Sequence, residues 1–320
     1  MNKTKTLYKI IDKRLITEGE HIDFTLYQAN ETQTEMILFL ESGSVVDGNK
    51  KVNLREIDKL YINEEDYEKY QSYAQEHLQS IANNADIPFT EKADIVYKKA
   101  ASVMDELFKN PDSLENMQKS QSIVDGFVTL ALQDEATLES IMKIAAHDYY
   151  THTHSINVSI YSLSLAKFLG LKDKDLEDIG MSSMMHDLGK SKVDSYIINK
   201  NGKLTDNEFN EMKHHPQRGY DIAVKMGLSD KRILSGIRDH HEKLDGGGYP
   251  RGLKDKEISL FARIIAVSDV FDALTTKRSY KDAMSSFQAI SIMKKQMDTH
   301  LDMRLVNALV KMCAVNPQGE

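Results

Sequence analysis

The chain has 320 residues, 41% hydrophobic and 28% charged, with net charge −8 and one cysteine, Cys313. That apolar fraction supports a true core in one large domain or two ordinary ones, which excludes disordered and fibrous classes. The lone cysteine excludes an internal disulfide or a cysteine metal cluster, and no apolar run nears the ~18 residues that span a bilayer. A reducing, cytoplasmic setting is expected, without membrane insertion; the basic start MNKTKTLYKIIDK has no apolar core of a signal peptide behind it. The acidic balance argues against wrapping DNA, which needs many unopposed Lys and Arg.

Residues 1–65 read as a small β-rich unit. HIDFTLYQ (21–28) alternates apolar and polar side chains as a half-buried strand does, and MILFLE (36–41) is a short apolar run. Asp47-Gly48 stands between two short strand candidates and predicts a hairpin, while LYI (60–62) is placed to close the sheet. The unit lacks the RxxxR segment of PilZ-type nucleotide-binding barrels, so no ligand is assigned to it.

Residues 66–112 form a predicted helical connector. Tyr67, Tyr70, Ala74 and Leu78 share one face of a first helix, and a second runs over 92–108 after a break near Pro88. Pro111 is expected to restart the chain as a first-turn proline. The stripes point to core packing, with a contact between two copies through residues 64–130 as a further candidate. From 113 to 320 nearly everything reads helical, with loops at 199–207, 227–230 and 243–257. The last, KLDGGGYPRGLKDKE, carries four glycines and a proline, which breaks any helix and lets backbone approach a ligand.

Eight of the eleven histidines fall between His147 and His241. One long helix, over 138–169, places His147, Tyr150, His154, Val158, Tyr161 and Leu165 on a mostly apolar stripe, so His154 points inward. His186 and Asp187 stand side by side, with Lys190 on the same helical face and Gly189 expected to end the helix. Further along come His214 and His215, then His240 and His241, and finally Asp269 and Asp272 on an otherwise apolar helix. A buried carboxylate costs several kcal/mol unless paired or bound to metal. Arg263 and Arg278 are the candidate partners for these two aspartates. Together the donors suffice for two metal ions sharing one carboxylate, and the absence of thiolate disfavours structural zinc. Two ions about 3.5–4 Å apart are the usual apparatus for hydrolysing phosphate esters.

The succession HS (154–155), HDLGK (186–190), HP (215–216), HHEKLDGGGYPRGL (240–253) and DVFDALTTKRSYK (269–281) closely resembles the HD-GYP family. These HD phosphohydrolases degrade the bacterial signalling nucleotide cyclic di-GMP. The resemblance implies a mainly α chain, its all-helical HD-type catalytic domain over 113–320 preceded by the β-rich unit and the connector. It implies the metal ligands His154, His186, Asp187, His215, His240, His241 and Asp269, with Asp187 bridging. His215 is preferred over His214 because the family ligand precedes the proline, which leaves His214 and His152 as partly exposed neighbours and His300 on a late helix. Lys190 and Asp187 are the expected catalytic residues. Lys190, Asp272, Arg278, Tyr280, Lys281, Gly248 and Tyr249 are expected to hold substrate. Asp245 opens the name-giving loop, and Pro250 and the glycines shape the pocket wall.

Family members with three metals carry a glutamate where this chain has Tyr150, a poor ligand because a phenol ionises near pH 10. Two divalent ions, iron or manganese, are therefore expected. The implied reaction is hydrolysis of cyclic di-GMP to pGpG and further to GMP. The alternatives are a non-catalytic cyclic di-GMP sensor and a hydrolase of another cyclic dinucleotide. Family habit also implies diguanylate cyclases (GGDEF proteins) as partners.

Overall fold

The computed structural model describes residues 7–30, 32, 35–48, 54, 56–133, 151–200, 202–276 and 283–314, the side chains of 151–152 and 313–314 excepted. The chain divides into two compact units, 1–87 and 88–320. It is mainly helical, with a small antiparallel sheet in the first unit.

In that unit β1 (Tyr8–Ile11), β2 (Leu26–Ala29), β3 (Met36–Leu40) and β4 (Leu60–Asn63) form a sheet of order β1-β4-β2-β3. Its buried face carries Ile11, Leu26, Leu40, Leu60 and Ile62. Helix α1 (Tyr67–Asn83) lays Tyr70 and Tyr73 edge-on against Phe24, with ring centroids 5.8 and 5.4 Å away. Both phenols also accept backbone amides, from Asp12 and Thr17. The sequence missed β1, and only the end of 21–28 is a strand. Residues 44–46 run beside 19–22 through an isolated bridge between His21 and Val45. The expected hairpin at Asp47-Gly48 is corrected: Gly48, Leu54 and Glu56 are helical, and the turn after β3 falls at Gly43, whose φ is +83°.

The second unit is helical among its described residues. It comprises α2 (Phe89–Lys109), α3 (Leu114–Gln133), α4 (Thr151–Phe168), α5 (Lys174–Met184), α6 (Ser195–Ile198), α7 (Asp206–Met212), α8 (His215–Lys225), α9 (Lys231–Asp239), α10 (Leu260–Thr275), α11 (Ser286–Gln296) and α12 (Met303–Ala314). Pro111 lies in a turn rather than in the first turn of α3, where the Ser113 hydroxyl accepts the Asn116 amide instead. His300 sits in a turn before α12, not on a helix.

Helix α4 is buried all round over residues 153–166, packed among α2, α3, α5, α10 and α12. Small residues make that crowding feasible. Ser159 donates to the Gly180 carbonyl, Ser182 to that of Ile233, and a β-carbon on Gly236 would overlap the Ser182 hydroxyl. The helices thus approach closely enough to place α4, α5, α9 and α10 around one polar centre.

Candidate metal centre

Each site histidine on α5, α7–α8 and α9 lies where a helix runs out. His186 Nδ1 faces the Ser183 carbonyl at 2.7 Å, His215 Nδ1 that of Met212 at 2.8 Å, and His240 Nδ1 that of Ile237 at 2.8 Å. The last carbonyls of a helix lack an intrahelical partner, and an imidazole three residues on can satisfy one. A carbonyl only accepts, so Nδ1 must carry the proton, and in a neutral ring Nε2 is then left with a bare lone pair. Three separate helix ends thereby aim three lone pairs at one place.

Gly189 is what lets this converge. Rather than ending a helix, it lies inside a 3-10 turn, Leu188–Lys192, and a β-carbon there would overlap the His215 carbonyl and the Gly219 amide. The HDLGK segment can therefore press against the start of α8.

All seven expected ligands come together, in two groups. Asp187, His215, His240 and His241 form one, and His154, His186 and Asp269 the other, with ligand atoms in each group within 4.8 Å of one another. Asp187 faces both: its Oδ1 lies 3.2 Å from His215 Nε2, its Oδ2 3.6 and 3.5 Å from the Nε2 atoms of His154 and His186. His154 Nε2 is also 3.1 Å from Asp269 Oδ1.

This donor set fits divalent cations. His186 Nε2 and Asp187 Oδ1 are buried without a hydrogen-bond partner, a costly state for polar atoms unless something positive meets them. His215 Nε2 and His240 Nε2 stand 3.4 Å apart, two lone pairs facing each other. Two ligands about 2.1 Å from a shared ion are separated by about 3.0–3.4 Å, so the pair has the spacing of co-ligands.

The electrostatics agree. Burial, then the neighbouring His241 and His186, push His240 well below the usual imidazole range, and burial with His215 pushes His241 down to about 3. Burial also lowers His186. Burial would raise Asp187, but the Lys190 ammonium and His186 hold it well below the carboxylate range. Burial would likewise lower His154, yet its hydrogen bonds to Asp269 and Asp272 outweigh that and raise it to about 9. A proton and a cation compete for that same Nε2.

Asp272 departs from its expected place at the substrate. It is fully buried behind His154, taking His154 Nδ1 at 2.6 Å, Asn157 Nδ2 at 3.1 Å and the Thr276 hydroxyl at 2.8 Å. Asn157 accepts in turn from the Tyr97 hydroxyl at 2.9 Å. Arg263, a candidate partner for these aspartates, bonds Asp302 instead. Lys190 Nζ pairs with Asp187 Oδ2 and stays partly open to solvent. Tyr249 stacks on His241 at 4.8 Å, and Gly248 abuts the His241–Lys243 backbone so closely that a β-carbon would overlap it. Arg278, Tyr280, Lys281, His147 and Tyr150 lie outside the described residues.

The sequence reading missed Glu242. It is 4% exposed, and its carboxylate takes the amides of Arg251, Gly252 and Leu253 at 2.6, 3.1 and 2.9 Å, pinning the glycine-rich loop behind the histidines. An acid directly joining a histidine pair to such a loop was the available signal. Asn157, also missed, offered only its place one turn after His154.

Residues 130–305 match the HD domain family. The cyclic di-GMP phosphodiesterase PA4108 of Pseudomonas aeruginosa is 36% identical over 200 residues, 62% of this chain and 48% of its own length. The 3'3'-cGAMP-specific phosphodiesterase 3 of Vibrio cholerae is 35% identical over 225 residues, 67% of this chain and 48% of its own. The chain thus spans about half the length of these curated relatives. Among solved structures, Bd1817, an HDG"Y"P protein from Bdellovibrio bacteriovorus, shares the fold with a TM-score of 0.69 at 21% identity, over 96% of this chain and 100% of that one. The family match covers more than half of the chain and contains every residue of the two ligand groups, so this chain belongs to the HD domain family.

Proposed function

We propose that the chain is a divalent-metal-dependent phosphodiesterase that hydrolyses cyclic di-GMP to pGpG and onward to GMP. The observation that carries this reading is Asp187, whose two carboxylate oxygens face two separate ligand groups. That is the arrangement of a carboxylate shared by two ions, with His154, His186 and Asp269 on one side and His215, His240 and His241 on the other. When bound, two such ions, iron or manganese for this sulfur-free donor set, supply an activated water and neutralise charge on the phosphate.

The chain's own residues do the rest. The Nδ1 bonds keep His154, His186, His215 and His240 turned with Nε2 inward, so little reorganisation is left for the reaction. Lys190, tethered by Asp187 at the open edge, offers its ammonium to a phosphate oxygen as negative charge gathers there. Water adds to phosphorus and the bond to the ribose oxygen breaks, which opens the ring to the linear dinucleotide. Tyr249 and Gly248 wall the site, and Arg278, Tyr280 and Lys281 hold substrate by the family resemblance. Asp272 we assign to orienting His154.

The relatives are named for two substrates, which supports a second reading: the same hydrolysis acting on 3′3′-cGAMP. In either reading residues 1–65 act as a regulatory unit, 66–112 as a connector and candidate contact between copies, and 113–320 as the catalytic region, in the cytoplasm and alongside diguanylate cyclases. The test is anaerobic purification, metal analysis and parallel turnover of both cyclic dinucleotides. Release of pGpG at the faster rate sustains the proposal, and faster cleavage of 3′3′-cGAMP selects the second reading. Binding of cyclic di-GMP with no product from fully metal-loaded protein turns the chain into a sensor.

A further inference from the structure

We propose that Phe209, flanked by Tyr249 and Lys213, is a stacking platform for one purine base of the cyclic dinucleotide, a subsite separate from the metal ligands. The inference rests on the substrate class proposed above and names how that substrate is gripped.

Phe209 is not a core residue. Helix α7, which carries it, buries none of its side chains, and Phe209 itself is 48% exposed. A lone exposed aromatic is ordinary on any protein surface. This one differs in where it stands. Its ring meets Tyr249 edge-on at 6.4 Å, and Tyr249 in turn stacks on His241 at 4.8 Å. An unbroken line of rings therefore leads from a residue of the ligand groups out to solvent.

The platform is also held still. Thr205 and Glu208 close a capping box at the start of α7, and Lys200 pairs with Glu208. At the other end the Met212 carbonyl takes the His215 Nδ1 proton, so the helix is bolted to the centre itself. A ring fixed in this way costs little ordering when a ligand arrives. Lys213 adds a cation over one side of the ring, its Nζ 5.2 Å from the Phe209 centroid. An aromatic ring that carries a positive charge against it suits a base joined to a phosphate, and base–aromatic stacking tolerates any purine.

The test compares KM, kcat and a binding signal. Phe209→Ala should raise KM for cyclic di-GMP about tenfold or more while kcat, metal content and melting temperature hold, and Phe209→Tyr should restore KM. The chain contains no tryptophan. Phe209→Trp therefore introduces a single indole, which cyclic di-GMP should quench and inorganic phosphate should not. An unchanged KM in Phe209→Ala, or an unquenched indole in protein that still cleaves cyclic di-GMP, overturns the subsite. Unsubstituted protein that neither binds nor cleaves a cyclic dinucleotide overturns the functional reading and the subsite with it, and is recognised before any variant is made.

Discussion

His154 donates its Nδ1 proton to Asp272 Oδ2 at 2.6 Å, with both side chains buried between α4 and α10. The carboxylate fixes the ring so that Nε2 looks toward Asp269 and Asp187. A carboxylate behind a metal-binding histidine sets its tautomer and raises its basicity, and losing one commonly weakens metal binding 10- to 100-fold.

Asp272→Asn tests this directly. Metal titration of the otherwise folded protein should show binding weakened by about 10- to 100-fold, roughly 1.4–2.7 kcal/mol. Circular dichroism should report unchanged helix. Affinity within twofold of the unsubstituted protein would remove Asp272 from any role behind His154.

Asp187 and Lys190 should fail in different ways. Asp187→Ala removes the carboxylate that faces both ligand groups, so bound metal should drop below two ions per chain and turnover should be lost. Lys190→Met removes a charge but no ligand, so metal content should hold while kcat falls roughly 10²- to 10³-fold. Elemental analysis beside a pGpG assay separates the two, and a Lys190→Met protein that loses its metal would contradict the division of roles.

Glu242→Gln should loosen the glycine-rich loop. A glutamine has a single acceptor oxygen and a donor amide, which cannot serve the three backbone amides that the carboxylate now accepts. Hydrogen bonds to a charged acceptor contribute about 1.5–3 kcal/mol each. Amide hydrogen exchange at Arg251, Gly252 and Leu253 should speed up while the ends of α10 are unaffected, and KM should rise more than kcat falls.

Stability should depend on acid through Asp302. Burial would raise this carboxyl, but hydrogen bonds from Arg304 and Arg263 outweigh it and lower it to about 2. A folded-state value below the unfolded one stabilises the protein above the unfolded pKa near 3.9, and that contribution is lost as pH falls through about 2. Its full size is up to about 2–3 kcal/mol. Denaturant unfolding between pH 5 and pH 2 should show a shallower acid decline for Asp302→Asn than for the unsubstituted chain. Equal slopes would show that Asp302 does not carry this dependence.

Much of the fold was readable from residue order. The change from alternating strands to three- and four-residue stripes marks where sheet gives way to helix, and MILFLE lies on β3. The errors have physical causes. YKII has only four residues and follows a basic start, so β1 shows no alternation worth reading. Asp47-Gly48 suits a tight turn, but the segment after it is helical where described, and the true turn is made by Gly43. Gly189 looked like a helix terminator because glycine often is one. Its actual service, close approach to the His215 carbonyl, appears only when α8 is in place.

Donor identity is a property of the chain alone: imidazole and carboxylate, no thiolate, in an order that matches one family. Such chemistry survives in a linear string because it depends on side-chain type and motif spacing. What the folded molecule decided is how each donor is used. Which nitrogen of His186, His215 and His240 keeps its proton depends on a helix ending just before each ring, so that the carbonyl three residues back can receive it. Whether Asp272 meets substrate or His154 depends on α10 packing against α4 across more than a hundred residues of chain. No spacing rule encodes that choice, because it is made by packing between elements distant in sequence.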